Sequence, residues 1–360
     1  MHERVERAAR VLHDAVDRRT FPAAVAEVGH SGGVLWQEAF GRLTFDDDSP
    51  STELGTVFDL ASLTKPIATT SVVLQFVNDG RLRLDESPSR YCPEWIGVDR
   101  RPVTIRHLLE HASGLSARLH DRPPDTRPAF EHDICTTALE CPPGSKAIYS
   151  DLGFILLGFC LETIGEASLA RLTGSVLDDV AHASSQEGAN VGLLVTVPQN
   201  LKDRTAPTTS LPEDPRGGRR LTGEVHDNYA AALGGFAGHA GLFGSARGVG
   251  VFARTILRAA LGMSSVDPFT PDSVATMVAR STVAGSSRAL GWDTMLPTSS
   301  CGTHMSAGAF GHVGFTGTSL WIDPGADRYY VLLTNRVCDG GTSEDMQVVR
   351  RAFHNALTVS

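Results

Sequence analysis

Apolar positions near the N-terminus recur every three to four residues up to about Arg19, which predicts an amphipathic helix. Two strand-like runs follow, residues 23–28 and 34–41, joined by Gly29-His30-Ser31-Gly32-Gly33 as a hairpin turn. Helical spacing returns through Ile67, Val72, Leu74 and Val77 and closes at Asn78-Asp79-Gly80, where glycine provides a left-handed stop. Thr104 opens another helix that ends near Ser113-Gly114, and residues 152–164 form a strongly apolar one. Toward the C-terminus, residues 289–295, 309–315, 317–322 and 329–335 read as strands, followed by a closing helix over 343–357. Strands lie at both ends and helices fill the middle. The economical arrangement is an α/β (α+β) domain built from residues 1–60 and 286–360, with a mainly helical domain of residues 61–285 packed on it. Two polar stretches, 117–128 and 199–223, interrupt the pattern, and the longer one is expected to be a lid or a surface segment.

Composition narrows the function classes. The 360 residues are 41% hydrophobic, ample for a sizeable core, and no run approaches the apolar length of a membrane span. The first helix lacks the apolar stretch and cleavage site of a signal peptide, so cytoplasm is the expected address. A net charge of −9 gives no support for nucleic acid or an anionic membrane as partner. Six cysteines, Cys92, Cys135, Cys141, Cys160, Cys301 and Cys338, contain no C-x-x-C pair and are expected to be free thiols, several of them buried.

Several short patterns suggest chemistry, and most fail on context. Gly29 to Gly33 matches G-x-S-x-G, yet a strand rather than a helix follows it. His107, Glu110 and His111 match a zinc-hydrolase pattern without an implied third ligand, so a buried histidine at a helix end is expected. Asp46-Asp47-Asp48 lacks the spacing and terminal glutamate of a calcium loop. The glycine-rich segment 234–241 permits close backbone approach but is no dinucleotide site. Neither metal nor cofactor is expected. The stretch Phe58-Asp59-Leu60-Ala61-Ser62-Leu63-Thr64-Lys65-Pro66 is different. It places a serine and a lysine three residues apart at a helix start, where both side chains share one face and free N–H groups favour a developing oxyanion.

Ser62-x-x-Lys65, then Tyr149-Ser150-Asp151, then His312-Val313-Gly314 occur in an order that resembles the serine β-lactamase and penicillin-binding-protein superfamily, especially its class C-like branch. Leu108 to Leu115 and Tyr149 to Gly158 resemble further words of that family, and the likeness spans nearly the whole chain. The resemblance implies an antiparallel sheet flanked by helices, a large helical insertion, and an active site in the cleft between them. It implies Ser62 as acylated nucleophile, Lys65 as proton acceptor or relay, and Tyr149 as acid/base for the leaving group. The backbone N–H groups of Ser62 and Phe315 would form the oxyanion hole, with Asp151, His312 and Gly314 beside the substrate.

The departures shape the expectation. His312 stands where the family has a fixed lysine charge, and Asp151 stands where it often has asparagine. Both changes argue for an ester or peptide/amide substrate over a β-lactam, since a mostly neutral histidine and an added negative charge disfavour a substrate carboxylate. The expected protein is a monomeric serine hydrolase acting on a small molecule or peptide; the alternatives are a β-lactamase or a catalytically silent binding protein of the same fold. His226, Asp227 and His239 receive no role from the sequence.

Overall fold

The computed structural model describes residues 2–119, 124–184, 192–339 and 341–358. Helix α1 (His2–Asp17) buries Ala8, Leu12 and Ala15 on one side and ends where Arg19 turns left-handed, at φ 59°. Strands β1 (Ala23–His30) and β2 (Gly33–Gly41) form the expected hairpin. In its turn the Ser31 N–H and hydroxyl donate to Asp327, at 2.9 and 3.1 Å, so the serine of the G-x-S-x-G match is a turn anchor.

The middle of the chain runs through β3 (Phe58–Asp59), α2 (Ser71–Asn78), α3 (Ile105–Leu109), α4 (Arg127–Thr136), α5 (Asp151–Gly165) and α6 (Leu169–Ser184). It continues through β4 (Leu193–Leu194), β5 (Thr208–Thr209), β6 (Arg220–Leu221), α7 (Asn228–Ala232), β7 (Phe243–Gly244), α8 (Ala246–Ala260) and α9 (Pro271–Val278). Strands β8 (Asp293–Thr294), β9 (Phe310–Val313), β10 (Ser319–Asp323) and β11 (Arg328–Thr334) then lead to α10 (Ser343–Thr358).

Both chain ends meet in one six-stranded sheet, ordered β2-β1-β11-β10-β9-β8, with every neighbouring pair antiparallel. Strand β1 is buried on both faces, and its alternation divides the core. Ala24, Ala26 and Val28 face α1 and α10 with Leu12, Trp321 and Phe353. Ala23 and Val25 face Val249, Phe252 and Ile256 of α8. Helix α8 thus covers the sheet although sequence order groups it with the helical middle, because its i, i+3, i+7 apolar stripe fits the uncovered face.

Other expectations are corrected. Of residues 289–295 only Asp293–Thr294 is strand, because Gly291 at φ 73° bends the chain and the Ala289 N–H bonds back to Trp292. The helix opened by Thr104 stops at Leu109, and His111 adopts φ 56°. Stretch 199–223 is not one loop: it holds the 3-10 turns Gln199–Arg204 and the β5–β6 ribbon.

Glu27 of β1 points toward α8, where Gly250 makes room: a Cβ there would stand 1.8 Å from the carboxylate. Its Oε1 accepts the Tyr329 hydroxyl at 2.9 Å, and burial raises its pKa from 4.5 to about 7. Between pH 4.5 and 7 the unfolded chain releases this proton and the folded chain keeps it, so folding stability falls as pH rises through that window. The total effect is about 3 kcal/mol. Glu27→Gln is expected to flatten that slope in urea titrations at pH 5 and pH 8, and an unchanged slope would refute the assignment.

Candidate active site

The turn that carries Ser62 is held from both sides. The buried Asp59 carboxylate, at the end of β3, accepts the N–H of Ala61 at 2.8 Å and of His226 at 2.7 Å. Burial raises its pKa to about 6 in spite of those bonds. Ala61 needs the support, since it adopts φ 48°, a left-handed conformation unfavourable for a residue with a Cβ. The Thr316 hydroxyl bonds the Asp59 carbonyl at 2.8 Å and the Thr318 hydroxyl bonds the Leu60 carbonyl at 3.0 Å, tying the β9–β10 turn to the serine.

Ser62 lies in the 3-10 turn Ala61–Leu63, followed by π-helical turns over Lys65–Thr70 before α2 begins. The expected continuous α-helix is therefore corrected, yet positions i and i+3 still share one side of the chain across the two turns. Lys65 Nζ stands 3.0 Å from Ser62 Oγ. The widened turn leaves room for the glycine-rich segment, whose Gly238 carbonyl accepts Thr69 Oγ1 and whose His239 carbonyl accepts Lys65 Nζ at 3.2 Å. Glycine is required at 238, where a Cβ would meet the Phe154 carbonyl at 1.9 Å.

Lys65 is fully buried and donates to Asp151 Oδ1 at 2.8 Å. Asp151 occupies the first turn of α5, whose N-cap Ser150 accepts the Gly153 N–H. Burial pushes the lysine pKa down, but Asp151 and Tyr149 outweigh it, and the net shift is upward. Burial likewise opposes the Asp151 charge, and Lys65, His239 and Arg118 together more than restore it, leaving the carboxylate below its ordinary range. The resting pair is charged.

Arg118 extends the network. Its guanidinium donates to Asp151 Oδ2 and Asp227 Oδ2, both at 2.9 Å, and lies 3.8 Å from the centre of the Tyr229 ring. Asp227 Oδ1 pairs with His239 Nε2 at 2.7 Å. Asp151, Asp227 and His239 come close enough to hold a metal ion, but Lys65 and Arg118 already occupy their oxygens. Asp151 is therefore a partner of two cations rather than a free negative charge facing substrate.

Tyr149 closes the cleft, with Lys65 Nζ 4.8 Å from its ring centre and the His111 ring stacked at 4.5 Å. His111 Nδ1 accepts the Ser150 N–H at 3.0 Å, and burial with the Arg288 charge holds it neutral. The other members of the zinc-like pattern are also engaged: His107 caps the Thr104 N–H, and Glu110 pairs with Arg106.

A second hollow, of about 310 Å³, adjoins Ser62 and Tyr149 on the side of β9. His312 is buried there, bonded through Nδ1 to the Val313 carbonyl at 2.8 Å, and burial with Arg288 and Lys65 drives its pKa well below 6.5. It supplies no fixed charge. Gly314 is required because a Cβ there would meet Thr318 Oγ1 at 2.1 Å and the Leu60 carbonyl at 2.6 Å. Arg350 donates to the Gly314 and Thr318 carbonyls at 2.7 and 2.9 Å, and Arg336 to the Phe315 carbonyl, bracing this turn. Neither the Ser62 nor the Phe315 N–H has an acceptor among the described residues, which leaves both available to an oxyanion. The Phe315 side chain is itself half exposed and stacks on His226 at 5.5 Å.

The structure brings together every site residue named from the sequence and adds Arg118, Arg288, Asp227, His239 and Asp59. Arg288 is a cation that the sequence argument did not weigh: its guanidinium lies 5.0 Å from the Tyr149 ring centre, lines the second hollow, and has no ion pair among the described residues.

Comparison with known proteins agrees with this architecture. A putative D-alanyl-D-alanine carboxypeptidase of Escherichia coli (strain K12) is 29% identical over 373 residues, spanning 93% of this chain and 82% of its own. The solved structure of EstCE1, a hydrolase with promiscuous acyltransferase activity, matches with a TM-score of 0.72 at 20% identity over 98% of this chain and 99% of its own. A class C beta lactamase from Rhodobacter sphaeroides matches with a TM-score of 0.73 at 18% identity over 97% and 98%. The beta-lactamase family profile matches residues 8–352, nearly the full length. The chain belongs to the beta-lactamase family, and it is a serine hydrolase.

Proposed function

We propose that the protein hydrolyses a peptide or amide through an acyl-enzyme on Ser62, and that the leaving group of its substrate carries a carboxylate. The observation that carries this reading is Arg288, a cation without an ion pair among the described residues that lines the hollow beside Ser62, Tyr149 and Gly314. The part of the sequence argument that rested on Asp151 as a repelling charge falls away, because Lys65 and Arg118 neutralise it. The relative named as a putative D-alanyl-D-alanine carboxypeptidase supports a short peptide ending in a free carboxylate.

In this reading the Lys65 ammonium donates to Ser62 Oγ and favours the alkoxide, a role that its raised pKa suits better than that of base. The Tyr149 hydroxyl then accepts the Ser62 proton as it gives its own to the leaving nitrogen, so it ends the step as the same phenol. The carbonyl oxygen turns toward the Ser62 and Phe315 N–H groups, and the acyl portion fills the larger hollow, about 500 Å³, lined by Tyr229, His226 and Leu211. The cytoplasmic address expected from the sequence is kept as part of the proposal; no single helix among the described residues is long and apolar enough to cross a membrane.

The test separates charge from chemistry. Arg288→Gln is expected to raise KM for a D-alanyl-D-alanine-terminated peptide about 10–100-fold, the cost of losing a charge-assisted hydrogen bond. Turnover of a neutral nitrophenyl ester should change less than threefold or so on the same grounds. Equal losses on both substrates, or none on either, would reject the carboxylate site.

A further inference from the structure

Outside the active site, two thiols that the catalytic chemistry does not use lie against each other. Cys92 follows the 3-10 turn Pro88–Arg90, and Cys135 lies in the last turn of α4. Their Sγ atoms are 3.4 Å apart, and both residues are buried. The sulfurs need to approach by roughly 1.4 Å to reach disulfide bonding distance. Cys92 Sγ also stands 3.1 Å from Glu131 Oε1, one turn earlier on α4. Glu131 is partly exposed, so a carboxylate that reaches solvent borders the buried pair.

We propose that Cys92 and Cys135 form a dithiol site that a peroxide closes into a disulfide, cross-linking the turn before residue 92 to α4. The Cys92 sulfur attacks a peroxide oxygen and its thiol proton passes by way of Glu131 to the departing hydroxide, giving a sulfenic acid and water. The Cys135 sulfur then attacks the sulfenic sulfur, its proton joins the departing hydroxyl as a second water, and two electrons have moved from the thiols to the peroxide. The hydrogen bond to Cys135, burial and Glu131 all raise the Cys92 thiol above its ordinary pKa, so closure is slow at neutral pH and accelerates as pH rises.

The cross-link encloses residues 93–134, and therefore Arg118, the cation shared by Asp151 and Asp227. Closing a loop of this size restricts the unfolded chain, so the oxidised protein should melt a few degrees higher. Ser62 and Lys65 lie outside the loop, and ester turnover should survive closure.

The experiment treats the full-length protein with hydrogen peroxide, blocks remaining thiols after denaturation, and maps peptides without reduction. The expected result is a Cys92–Cys135 linked peptide, a mass loss of about two hydrogens on the intact protein, reversal by dithiothreitol, and a raised Tm before reversal. Cys160→Ala should keep the linked peptide, and Cys92→Ala should abolish it. A linkage to Cys160 instead, or both thiols fully alkylated after treatment, would overturn the proposal. The wild-type peptide map decides the matter even where a cysteine variant folds poorly.

Discussion

Replacing Ser62 with alanine is expected to reduce kcat/KM for ester and amide substrates on the order of 10⁴-fold or more, with little change in stability. The hydroxyl has one hydrogen-bond partner among the described residues, Lys65 Nζ. That ammonium keeps Asp151 and the His239 carbonyl when the serine is gone, so no buried charge is orphaned. The Ser62 and Phe315 N–H groups remain in place, and they account for a residual rate above that of water. The experiment pairs a short-chain nitrophenyl ester with a D-alanyl-D-alanine peptide and follows nitrophenol release and acyl-enzyme mass. Loss of both the adduct and the turnover is the expected result. An adduct that persists, mapped to Ser31 or Ser150, would move the nucleophile elsewhere and remove the basis of the mechanism.

Much of this site was legible because the chemistry is local in sequence. Ser62 and Lys65 are three residues apart, and any helical turn brings them together. The hairpin of β1 and β2 and the three longer C-terminal strands were legible as short apolar runs bounded by turn residues, and β1, β10 and β11 pack on α8. Charge balance was not legible. Asp151 read as a liability because Arg118 is 33 positions away, and nothing in the intervening loop says that its guanidinium returns to the first turn of α5. Arg288 was hidden for the same reason, at the end of a segment that reads as strand and folds as a bend around Gly291. The role of Asp59 depends on a strained Ala61, and positive φ at alanine has no sequence signature. Periodicity reports burial, whereas ion pairs across the fold report only themselves.

The coupling of Lys65 to Asp151 gives the second large effect. Lys65→Met is expected to lower kcat about 10³-fold, within the range for losing a positioned proton-transfer or charge-stabilising group. It should also destabilise the fold by about 3 kcal/mol, the low end for orphaning one partner of a buried pair, because Arg118 still holds the other Asp151 oxygen. Asp151→Asn alone removes the chief influence that raises the lysine pKa, so burial then dominates and lowers it. A new alkaline limb should appear in the rate profile, moved toward neutral pH relative to the wild type. In the double variant the stranded carboxylate is gone, and part of the stability lost in Lys65→Met should return, with a coupling of about 1 kcal/mol or more. Activity should not return with it, since the group that favours the Ser62 alkoxide is still absent. Additive stability losses would mean that the two side chains act independently in the fold. Recovered turnover in the double variant would mean that Lys65 serves only to neutralise Asp151, and that the proton chemistry belongs to Tyr149 alone.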